Sequence, residues 1–455
     1  MTTNNTQPAR GTRDFLPADV RRRTYVIDIV RAVYERYGFE PLETPAFENI
    51  ETLLGKYGDE GNQLIFKILK RGEHEASGAA DLALRYDLTV PLARVVAQYQ
   101  NELPRYFKRY QIQPVWRADR PARGRFREFY QCDVDAVGST SAIVEIEVLS
   151  AVTDVLTTLG FTDFVIRLNH RRLLAALLDS AAIPAGKHND ALIAIDKLDK
   201  IGNDGVMADL AARGIEAAAA ARLLASFAVR GDEALPALQT MLEDHEAGSH
   251  AVREIGEIVQ LAASTPAGAH LQLDPSLARG LSYYTGAIME IAVPGIGSLG
   301  GGGRYDNLVG MFLGRDVPAC GFSLGLERIF VVMTERNMFP ASVGHGAVDA
   351  VVTFLDDPSR PEALGFASEL RRRGVRADVF PEASRKFDKP LKYASARGAR
   401  AMAIFGENER ARGEVSIRNL DTREQHAVPR AEAADRVSQL LNHRDAHPAP
   451  SHPAP

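Results

Sequence analysis

Apolar positions follow a helical period in some segments of the chain and a strand period in others. Near the start, one apolar set repeats every three or four residues: Val26, Val30, Val33 and Tyr37. This spacing predicts a helix over about 18–37, which Gly38 is placed to end. Residues 39–45 then predict a strand. Two further strands are predicted at 64–69 and 82–86, and a helix follows from there to about residue 99.

Two extended segments joined by a turn-rich loop are predicted at the centre of the chain. Residues 104–117 are rich in aromatic side chains, residues 118–124 carry Asp, Pro and Gly, and residues 125–136 are extended again, which predicts a β-hairpin. A period of two places one row on the same side of the returning strand: Arg127, Phe129, Gln131, Asp133 and Asp135. A ring, an amide and two carboxylates make a poor core face. They suit stacking and acceptor contacts to a small cationic or donor-rich ligand.

The middle of the chain alternates between helical and extended patterns. A helix over 142–158 and a strand over 164–169 precede an Ala-rich stretch, 171–265, which predicts several helices and carries no constellation of chemically active residues. A strand over 287–293 is followed by four glycines at 300–303. These glycines either form a flexible loop or let the backbone approach a ligand closely, because glycine has no Cβ atom.

The last part of the chain alternates strands and helices after a linker near 339–346. The elements of this βαβαβ pattern are 347–354, 360–373, 376–380, 383–397 and 401–405. A strand at 414–418 and a helix at about 431–441 finish it. One basic row either contacts RNA phosphates or is a solvated helix face: Arg385, Lys386, Lys389, Lys392 and Arg397. The Pro-rich tail, 443–455, is predicted to be disordered.

Charge is concentrated in the predicted hairpin and not in the chain as a whole. The chain has 455 residues, 45% of them hydrophobic, and a net charge of −5, which is typical of a soluble protein of roughly three domains. From 104 to 131, eight basic residues stand against two acids, an excess of six. Most are arginines, whose planar fork suits bidentate contact with phosphate. Charge alone is equally compatible with a solvated hairpin; the alternation described above favours a binding surface.

Cysteine use and the N-terminus bear on compartment. The two cysteines, Cys132 and Cys320, are far apart and lack CxxC spacing, so a structural zinc site is not expected and a reducing cytosolic setting is. The N-terminus has no apolar signal region, and no apolar run reaches 18 residues. We therefore expect a cytoplasmic location and no membrane partner.

Several segments together resemble the class II aminoacyl-tRNA synthetases. Arg117-Ala118-Asp119, the basic loop and the run from Arg125 to Phe129 resemble motif 2 of that class. Residues 319–330 (ACGFSLGLERIF) resemble motif 3, and residues 18–45 resemble motif 1, a pattern that an ordinary amphipathic helix and core strand explain equally well.

Two further segments resemble the histidyl-tRNA synthetase family in particular. They are GRFREFYQCDVD within 124–135 and LARGLSYYTG at 277–286. Ser282 departs from the second pattern, where the family typically has Asp, and so removes a charge from that motif.

The resemblance implies an α+β fold. It consists of a catalytic domain with a mixed, mainly antiparallel sheet flanked by helices, a helical insertion and a C-terminal α/β anticodon-binding domain. The implied boundaries are 1–170 and 266–338 for the two parts of the catalytic domain, 171–265 for the insertion, 346–442 for the α/β domain and 443–455 for the tail.

The implied function is that of a ligase. It activates L-histidine with ATP to histidyl-adenylate and transfers the histidyl group to the 3′ end of tRNA(His). The motif 1 resemblance implies a homodimer. Mg²⁺ is expected with ATP, on ligands that the sequence does not identify, and zinc is not expected.

Site residues follow from the same motifs. Arg117 and Arg279 are the expected catalytic cations at the α-phosphate, while Phe129 and Arg328 would enclose adenine and Arg125 would meet the terminal phosphates. Arg120 and Arg123 are the expected tRNA contacts. The expected histidine-binding set is Asp87, Leu88, Thr89, Arg117, Gln131, Asp135, Arg279, Tyr283 and Tyr284. Without the resemblance, Asp87 and Thr89 would be read first as helix-capping residues.

Two alternatives from other classes remain open at the level of sequence. One is a non-catalytic regulatory subunit that senses histidine on the same fold, which would be expected to lack the C-terminal domain and an intact histidine motif. The other is a stand-alone RNA-binding protein, which would not account for Gln131, Asp135 and Tyr284.

Overall fold

The computed structural model describes residues 6–70, 72, 77–278, 283–344 and 346–442. The chain divides into two compact units, Met1–Phe339 and Pro340–Pro455. The predicted disordered tail lies outside the described residues. Within the described part, no helix is both long and apolar enough to cross a bilayer.

The first unit contains eleven strands among its described residues. They are β1 Glu40–Pro41, β2 Phe47–Asn49, β3 Lys67–Leu69, β4 Ala80–Leu84, β5 Phe107–Trp116, β6 Glu128–Val137, β7 Val165–His170, β8 Leu271–Leu273, β9 Ala287–Val293, β10 Gly297–Arg304 and β11 Ala319–Gly325. Eight of them form one sheet in the order β1-β5-β6-β11-β10-β9-β7-β8. Only the outer pairs, β1–β5 and β7–β8, are parallel. This confirms the predicted mixed, mainly antiparallel sheet.

The described part of this unit also contains thirteen α-helices. They are α1 Pro17–Arg36, α2 Ile50–Leu53, α3 Gly58–Gln63, α4 Thr89–Gln98, α5 Ile143–Thr158, α6 Arg171–Ser180, α7 His188–Ile195, α8 Leu198–Ala212, α9 Ala217–Ser226, α10 Ala234–Met241, α11 Glu246–Ala262, α12 Gly310–Leu313 and α13 Leu326–Glu335. Of these, α1, α5 and α13 pack on strands of the large sheet. The first helix follows its apolar period, since Val26, Val30 and Val33 are buried. Gly38 ends it with a φ of +73°, a conformation that favours glycine. The predicted strand at 39–45 is reduced to two residues.

One apolar core joins the sheet to the helical stretch at 171–265. Val26 on α1, Ile166 on β7, Leu177 on α6 and Ile255 on α11 belong to the same cluster of buried residues. The helical stretch, which is inserted between β7 and β8, therefore shares its core with the sheet, because an amphipathic helix must cover its apolar face.

The four glycines at 300–303 are part of strand β10, so their prediction as a flexible loop is wrong. A Cβ atom on Gly300 would overlap the carbonyl oxygen of Ser323 on β11, and one on Gly302 would overlap that of Gly321. The close approach that the glycines permit is therefore, first of all, between neighbouring strands.

The second unit is an α/β domain. Its strands are β12 Ala350–Phe354, β13 Ala377–Val379, β14 Ala401–Phe405, β15 Glu414–Asn419 and β16 Gln425–Pro429, in the sheet order β13-β12-β14-β15-β16. Its helices are α14 Ala341–Gly344, α15 Arg360–Arg372, α16 Asp388–Ala396, α17 Glu407–Arg412 and α18 Ala433–Asn442. The first three strands are parallel, as βαβ units require. The short α17 and strand β16 were not predicted.

Candidate active site

A cavity of about 390 Å³ opens on the face of the large sheet in the first unit. Its walls are formed by the loop that leads into α4, the β5–β6 hairpin, strands β10 and β11, and the start of α13. Ten of the residues predicted from sequence line it: Asp87, Thr89, Arg117, Arg125, Phe129, Gln131, Asp135, Tyr283, Tyr284 and Arg328. Segments separated by about two hundred residues of sequence thus contribute to one site.

The row predicted on the returning strand lies in this cavity from its second member onward. Phe129, Gln131, Asp133 and Asp135 alternate along β6 and all line the cavity. Arg127 precedes β6, and its Nε donates to the carbonyl oxygen of Asp119 at 3.1 Å. The period of two along β6 therefore explains why these four side chains face the cavity. Arg127 does not belong to the row because it lies before the first residue of the strand.

Asp87 both caps a helix and faces the cavity. One carboxylate oxygen accepts from the backbone N–H of Val90 at 3.1 Å and from the Tyr57 hydroxyl at 2.9 Å. The other accepts from the Tyr283 hydroxyl at 3.3 Å. Complete burial raises the pKa of Asp87, against the opposing effects of the Val90 hydrogen bond and the Arg117 charge. The capping interpretation therefore holds for this residue, and the binding interpretation stays a prediction that its position in the cavity allows.

Gln131 is held from one side and leaves an acceptor on the other. Its Nε2 donates to the Ser323 hydroxyl at 2.6 Å. Its Oε1 is buried and has no hydrogen-bond partner within the described residues. A buried acceptor without a partner costs free energy, so an oxygen of this kind in a cavity indicates a donor on a ligand.

The second acidic group of the cavity is a pair of neighbouring carboxylates. Asp135 accepts a hydrogen bond from the Tyr305 hydroxyl, and its Oδ2 lies 2.9 Å from Nη2 of Arg109. That contact has ion-pair distance without hydrogen-bond alignment, so Oδ2 keeps acceptor capacity. Asp133 lies 3.8 Å from the same nitrogen. Burial raises the pKa of both carboxyls, and the Arg109 charge opposes the rise.

Arginines also line the cavity. Arg117 donates from Nε to the carbonyl oxygen of Tyr86 at 3.0 Å, and its guanidinium lies 4.3 Å from the Tyr86 ring and 5.2 Å from the Phe129 ring. Arg125 forms a bidentate pair with Asp119 at 3.0 and 2.9 Å. Arg328 donates to the carbonyl oxygen of Ser298. These positive charges and flat rings suit a nucleoside polyphosphate.

The other predicted residues either do not line the cavity or lie outside the described residues. Leu88 is fully buried and is not among the residues that line it, although its carbonyl oxygen accepts from Arg109 at 3.3 Å. Arg279 lies outside the described residues. Arg120 and Arg123 are exposed on the hairpin loop, and Arg123 forms an ion pair with Glu335.

Sequence reasoning missed several residues that hold the site together. Glu327 lines the cavity while it accepts from Arg23 at 2.6 Å and from the backbone N–H of Tyr130 at 2.8 Å. Arg109 is found only through the hairpin register, which places it opposite Asp135. Tyr305 follows β10 and carries no signal in the sequence that would connect it with Asp135.

The fold and this cavity define a class II aminoacyl-tRNA synthetase, in which a hairpin and a strand-to-helix turn bring arginines to one face of an antiparallel sheet. Two family models match the chain: Histidyl-tRNA synthetase over residues 11–329 and Anticodon binding domain over residues 349–440. The chain belongs to the histidyl-tRNA synthetase family.

Individual relatives agree over nearly the whole chain. The histidine–tRNA ligase of Porphyromonas gingivalis is 40% identical, covering 95% of this chain and 98% of that protein, and that of Gloeobacter violaceus is 41% identical with the same coverage. The crystal structure of histidyl-tRNA synthetase from a Nostoc species is 30% identical, with a TM-score of 0.78 over 96% of this chain and 100% of that chain. A Bacillus halodurans structure titled as an ATP phosphoribosyltransferase regulatory subunit/histidyl-tRNA synthetase is 22% identical and shows the fold alone.

Family membership decides between the enzyme and the two alternatives. The protein is a histidine–tRNA ligase that charges tRNA with histidine. The βαβαβ region found in the second unit is an anticodon-binding domain.

Proposed function

We propose that both steps of the reaction take place in the cavity on the large sheet. Histidine and ATP give histidyl-adenylate and pyrophosphate, and the histidyl group then passes to the 3′ end of tRNA(His). The observation that carries this proposal is a pair of buried acceptors that line the cavity, Gln131 Oε1 and Asp135 Oδ2, neither of which has a hydrogen-bond partner in the part of the chain that the structure describes. They call for a ligand with donors at two places, and an amino acid with a nitrogen-containing ring has them.

The acidic part of the cavity is the proposed histidine site. The α-ammonium would donate to Asp87 and Gln131 with Thr89 beside them, while Tyr57 and Tyr283 hold Asp87 in place. Leu88 would contribute only through its backbone. One ring N–H would donate to Asp135, and the Tyr284 hydroxyl would meet the other ring nitrogen. A competitor without either ring nitrogen would leave a buried group unpaired, a discrimination on the order of 10⁴ or more.

The arginine-rich part is the proposed ATP site. Adenine would lie between the Phe129 ring and the Arg328 guanidinium, and Arg125 would meet the terminal phosphates. Arg125 is now paired with Asp119, so ATP binding would replace a carboxylate partner with a phosphate. Gly124 lies beside Arg328, since a Cβ atom there would be 3.4 Å from Arg328 Cγ. The loop of the hairpin and α13 can therefore act on the same ligand.

Activation is an in-line displacement at the α-phosphorus. The histidine carboxylate oxygen forms the new P–O bond while the bond to the leaving pyrophosphate breaks. Negative charge develops on the phosphate oxygens, so a fixed cation aimed there lowers the barrier most. Arg117 has this role in our proposal because the Tyr86 carbonyl and two rings fix its position. Arg279 is proposed as the second cation on sequence grounds alone.

A divalent cation, generally Mg²⁺, accompanies ATP in enzymes of this class. Such ions bind oxygen ligands and usually take one or two carboxylates together with substrate phosphates. Asp119 and Glu327 both line the cavity, and Asp119 would be released from Arg125 when a phosphate replaces it, so these two carboxylates would hold the ion. When bound, it would neutralise phosphate charge.

Partners and domain roles complete the proposal. We propose a cytoplasmic homodimer in which residues 171–265 approach the acceptor end of the tRNA and Arg120 and Arg123 contact it. The proposed boundaries remain 1–170 and 266–338 for the catalytic parts and 346–442 for the anticodon-binding part. Support comes from the resemblance of α1 and β1 to motif 1 and from the family match over residues 11–329.

The test is histidine-dependent exchange of labelled pyrophosphate into ATP. Arg117→Ala should lower the exchange rate by roughly 10²–10³, since it removes charge that stabilises the transition state. Arg105→Ala is the matched control, because Arg105 is an exposed arginine at the start of the same hairpin and lies outside the cavity. Near-normal exchange in Arg117→Ala would contradict the proposal.

A further inference from the structure

Two arginines of the first unit are buried almost completely, and their contacts differ in kind. Arg85 is 1% exposed and donates to neutral oxygens at short distances, among them the Thr44 carbonyl at 2.6 Å and the Pro114 carbonyl at 2.8 Å. It acts as a strut between backbone segments. Arg109 is 0% exposed, and its two hydrogen bonds, to Gln111 Oε1 and to the Leu88 carbonyl oxygen, are both 3.3 Å long.

The shortest polar contact of Arg109 is the ion pair with Asp135. Its Nη2 lies 2.9 Å from Asp135 and 3.8 Å from Asp133, while its Nε has no hydrogen-bond partner within the described residues. A buried guanidinium with weak neutral contacts is retained mainly by the charges beside it. Arg109 is therefore placed as a counter-ion and not as a strut.

The carboxylates beside Arg109 belong to the proposed histidine site. Asp133 and Asp135 are 1% and 2% exposed and both line the cavity, as does the buried Asp87. Among the ion pairs of the described residues, only Arg109 pairs with either of the two neighbouring acids. Without a nearby cation, two adjacent buried carboxyls tend to share a proton.

We infer that Arg109 is a positioning residue for histidine selection, which favours the ionised forms of the neighbouring Asp133 and Asp135 and so presents Asp135 to the substrate ring as an acceptor. This inference rests on the proposed function of the cavity. An ionised carboxylate only accepts hydrogen bonds, whereas a protonated one also donates. Only the ionised form matches a ring N–H without ambiguity.

The electrostatic surroundings support this arrangement. Burial raises the pKa of both carboxyls, that of Asp133 to about 7, and the Arg109 charge is the first of the effects that oppose the rise in each case. The titratable and charged groups that face the pair come from several elements and are Tyr34, Arg85, Asp87, Arg109, Cys132, Tyr284, Tyr305 and Cys320. Of these, Arg85 and Arg109 carry a positive charge, and among the described residues only Arg109 forms an ion pair with the carboxylates.

The experiment is the pH profile of kcat/KM for histidine in pyrophosphate exchange, measured on the full chain. Arg109→Gln should move the acid limb to higher pH and raise the histidine KM at pH 7 by at least about tenfold, because loss of the cation raises the carboxyl pKa values. The ATP KM should stay within about twofold. Titration of free histidine is common to all variants, so differences between profiles report on the protein.

Two further variants separate charge from packing. Asp133→Asn is nearly isosteric and removes the competing carboxylate, so its acid limb should move to lower pH than in the wild type. In the double variant Arg109→Gln/Asp133→Asn, the limb should return toward the wild-type position. Arg109→Lys should restore part of the histidine KM. A purely structural role of Arg109 predicts neither the opposite shifts nor the return.

Arg85→Gln is the matched control, since it removes an equally buried guanidinium that binds neutral oxygens. It should lower the thermal stability and move the acid limb much less than Arg109→Gln does, because among the described residues Arg85 forms no ion pair with Asp133 or Asp135. The inference is overturned if the limb of Arg109→Gln stays at the wild-type position or moves equally in Arg85→Gln. If Arg109→Gln does not fold, an unmoved limb in Asp133→Asn overturns it.

The failure of this inference can be told apart from that of the proposed site. If Asp135→Asn leaves the histidine KM unchanged, the proposed function of the cavity is wrong and the inference falls with it. If Asp135→Asn raises that KM while the Arg109 and Asp133 variants leave the profile unmoved, only the role of Arg109 is wrong.

Discussion

Asp135 combines burial, charge and a free acceptor position in one side chain. The Tyr305 hydroxyl holds one oxygen, while the other lies beside Arg109 without a hydrogen bond. A carboxylate fixed in this way needs no reorientation when a donor arrives, so little conformational entropy is lost on binding. At the residue scale, selection of histidine in the proposed site therefore depends on the groups that contact Asp135, Tyr305 and Arg109, as much as on Asp135 itself.

Asp135→Asn tests this directly. An amide keeps the shape of the side chain but brings an N–H donor and loses the charge, so the ring N–H loses its strongest acceptor. We expect the histidine KM to rise by roughly 10–100-fold, the range for a lost charge-assisted hydrogen bond, with the ATP KM nearly unchanged. Steady-state pyrophosphate exchange with each substrate varied in turn measures both constants. An unchanged histidine KM would remove Asp135 from the pocket.

The residues that sequence could identify are those that belong to a periodic element or a motif. Phe129, Gln131 and Asp135 follow from the period of two along β6, and Arg117 and Arg328 follow from the motifs around them. Arg109, Tyr305 and Tyr57 could not be identified in this way. Their roles depend on register and on contacts between distant segments, and a single sequence does not encode these as a local pattern.

At the scale of elements, the four glycines of strand β10 are required by contacts with neighbouring strands, which a local sequence pattern does not reveal. Four glycines in a row predict a loop on propensity, because glycine weakens a strand. In the folded chain they pair with both β9 and β11, and a Cβ atom on Gly302 would overlap the Gly321 carbonyl oxygen and lie 2.7 Å from the Cα of Phe322. Tertiary packing thus outweighs local preference.

Gly302→Ala should therefore destabilise the protein substantially. The added methyl group has backbone atoms of β11 in its way, so strands must shift, and we expect the free energy of unfolding to fall by at least about 2 kcal/mol. Gly301→Ala is the control on the alternate face, where the nearest atom, the Met289 carbonyl oxygen, is 3.3 Å away. Denaturant unfolding of both variants measures the difference. Equal losses of unfolding free energy in the two variants would mean that the overlap at Gly302 adds no cost of its own.

The segment before α1 supports the hairpin loop that lines the cavity. The carbonyl oxygen of Gly11 accepts from the backbone N–H of Arg127 at 2.7 Å. The Arg13 guanidinium lies 4.5 Å from the Phe15 ring and 4.2 Å from the Phe126 ring. Because Phe126 lines the cavity, a cation–π contact made by the N-terminal segment helps to hold the loop that carries Arg125.

Arg13→Ala should weaken ATP use more than histidine use. Loss of the Arg13 contacts lets the loop move, and a cation–π contact of this kind contributes about 1–2 kcal/mol, so the ATP KM should rise by roughly 5–30-fold. Arg10→Ala is the control. Arg10 lies three residues before Arg13, its side chain is exposed, and its carbonyl oxygen, which the substitution keeps, is the group that accepts from Arg127. Pyrophosphate exchange at varied ATP gives the result. Equal increases in both KM values would contradict a specific role for the loop.

At the scale of the whole molecule, the candidate active site and the anticodon-binding domain belong to different units. All residues that line the cavity lie within Met1–Phe339, whereas the anticodon-binding domain match covers residues 349–440. Each unit has its own buried apolar clusters. In the proposed function, adenylate formation needs only the first unit and tRNA charging uses surfaces of both, so we expect that the two reactions can be impaired separately.

A charge reversal on α16 makes that separation measurable. Lys389 and Lys392 lie three residues apart on this helix and are exposed; the ion pair of Lys389 with Glu382 is 3.8 Å long, on the surface and therefore weak. If the lysines contact tRNA phosphates, Lys389→Glu/Lys392→Glu should raise the tRNA KM at least about tenfold and reduce the slope of log affinity against log salt by about one for each lost contact. Pyrophosphate exchange should not change.

The control is the double variant Arg372→Glu/Arg436→Glu, on exposed positions of α15 and α18. It alters the net charge equally and so separates a specific tRNA-binding surface from general charge repulsion. Equal effects of the two double variants, or none, would mean that the basic row of α16 is only a solvated helix face.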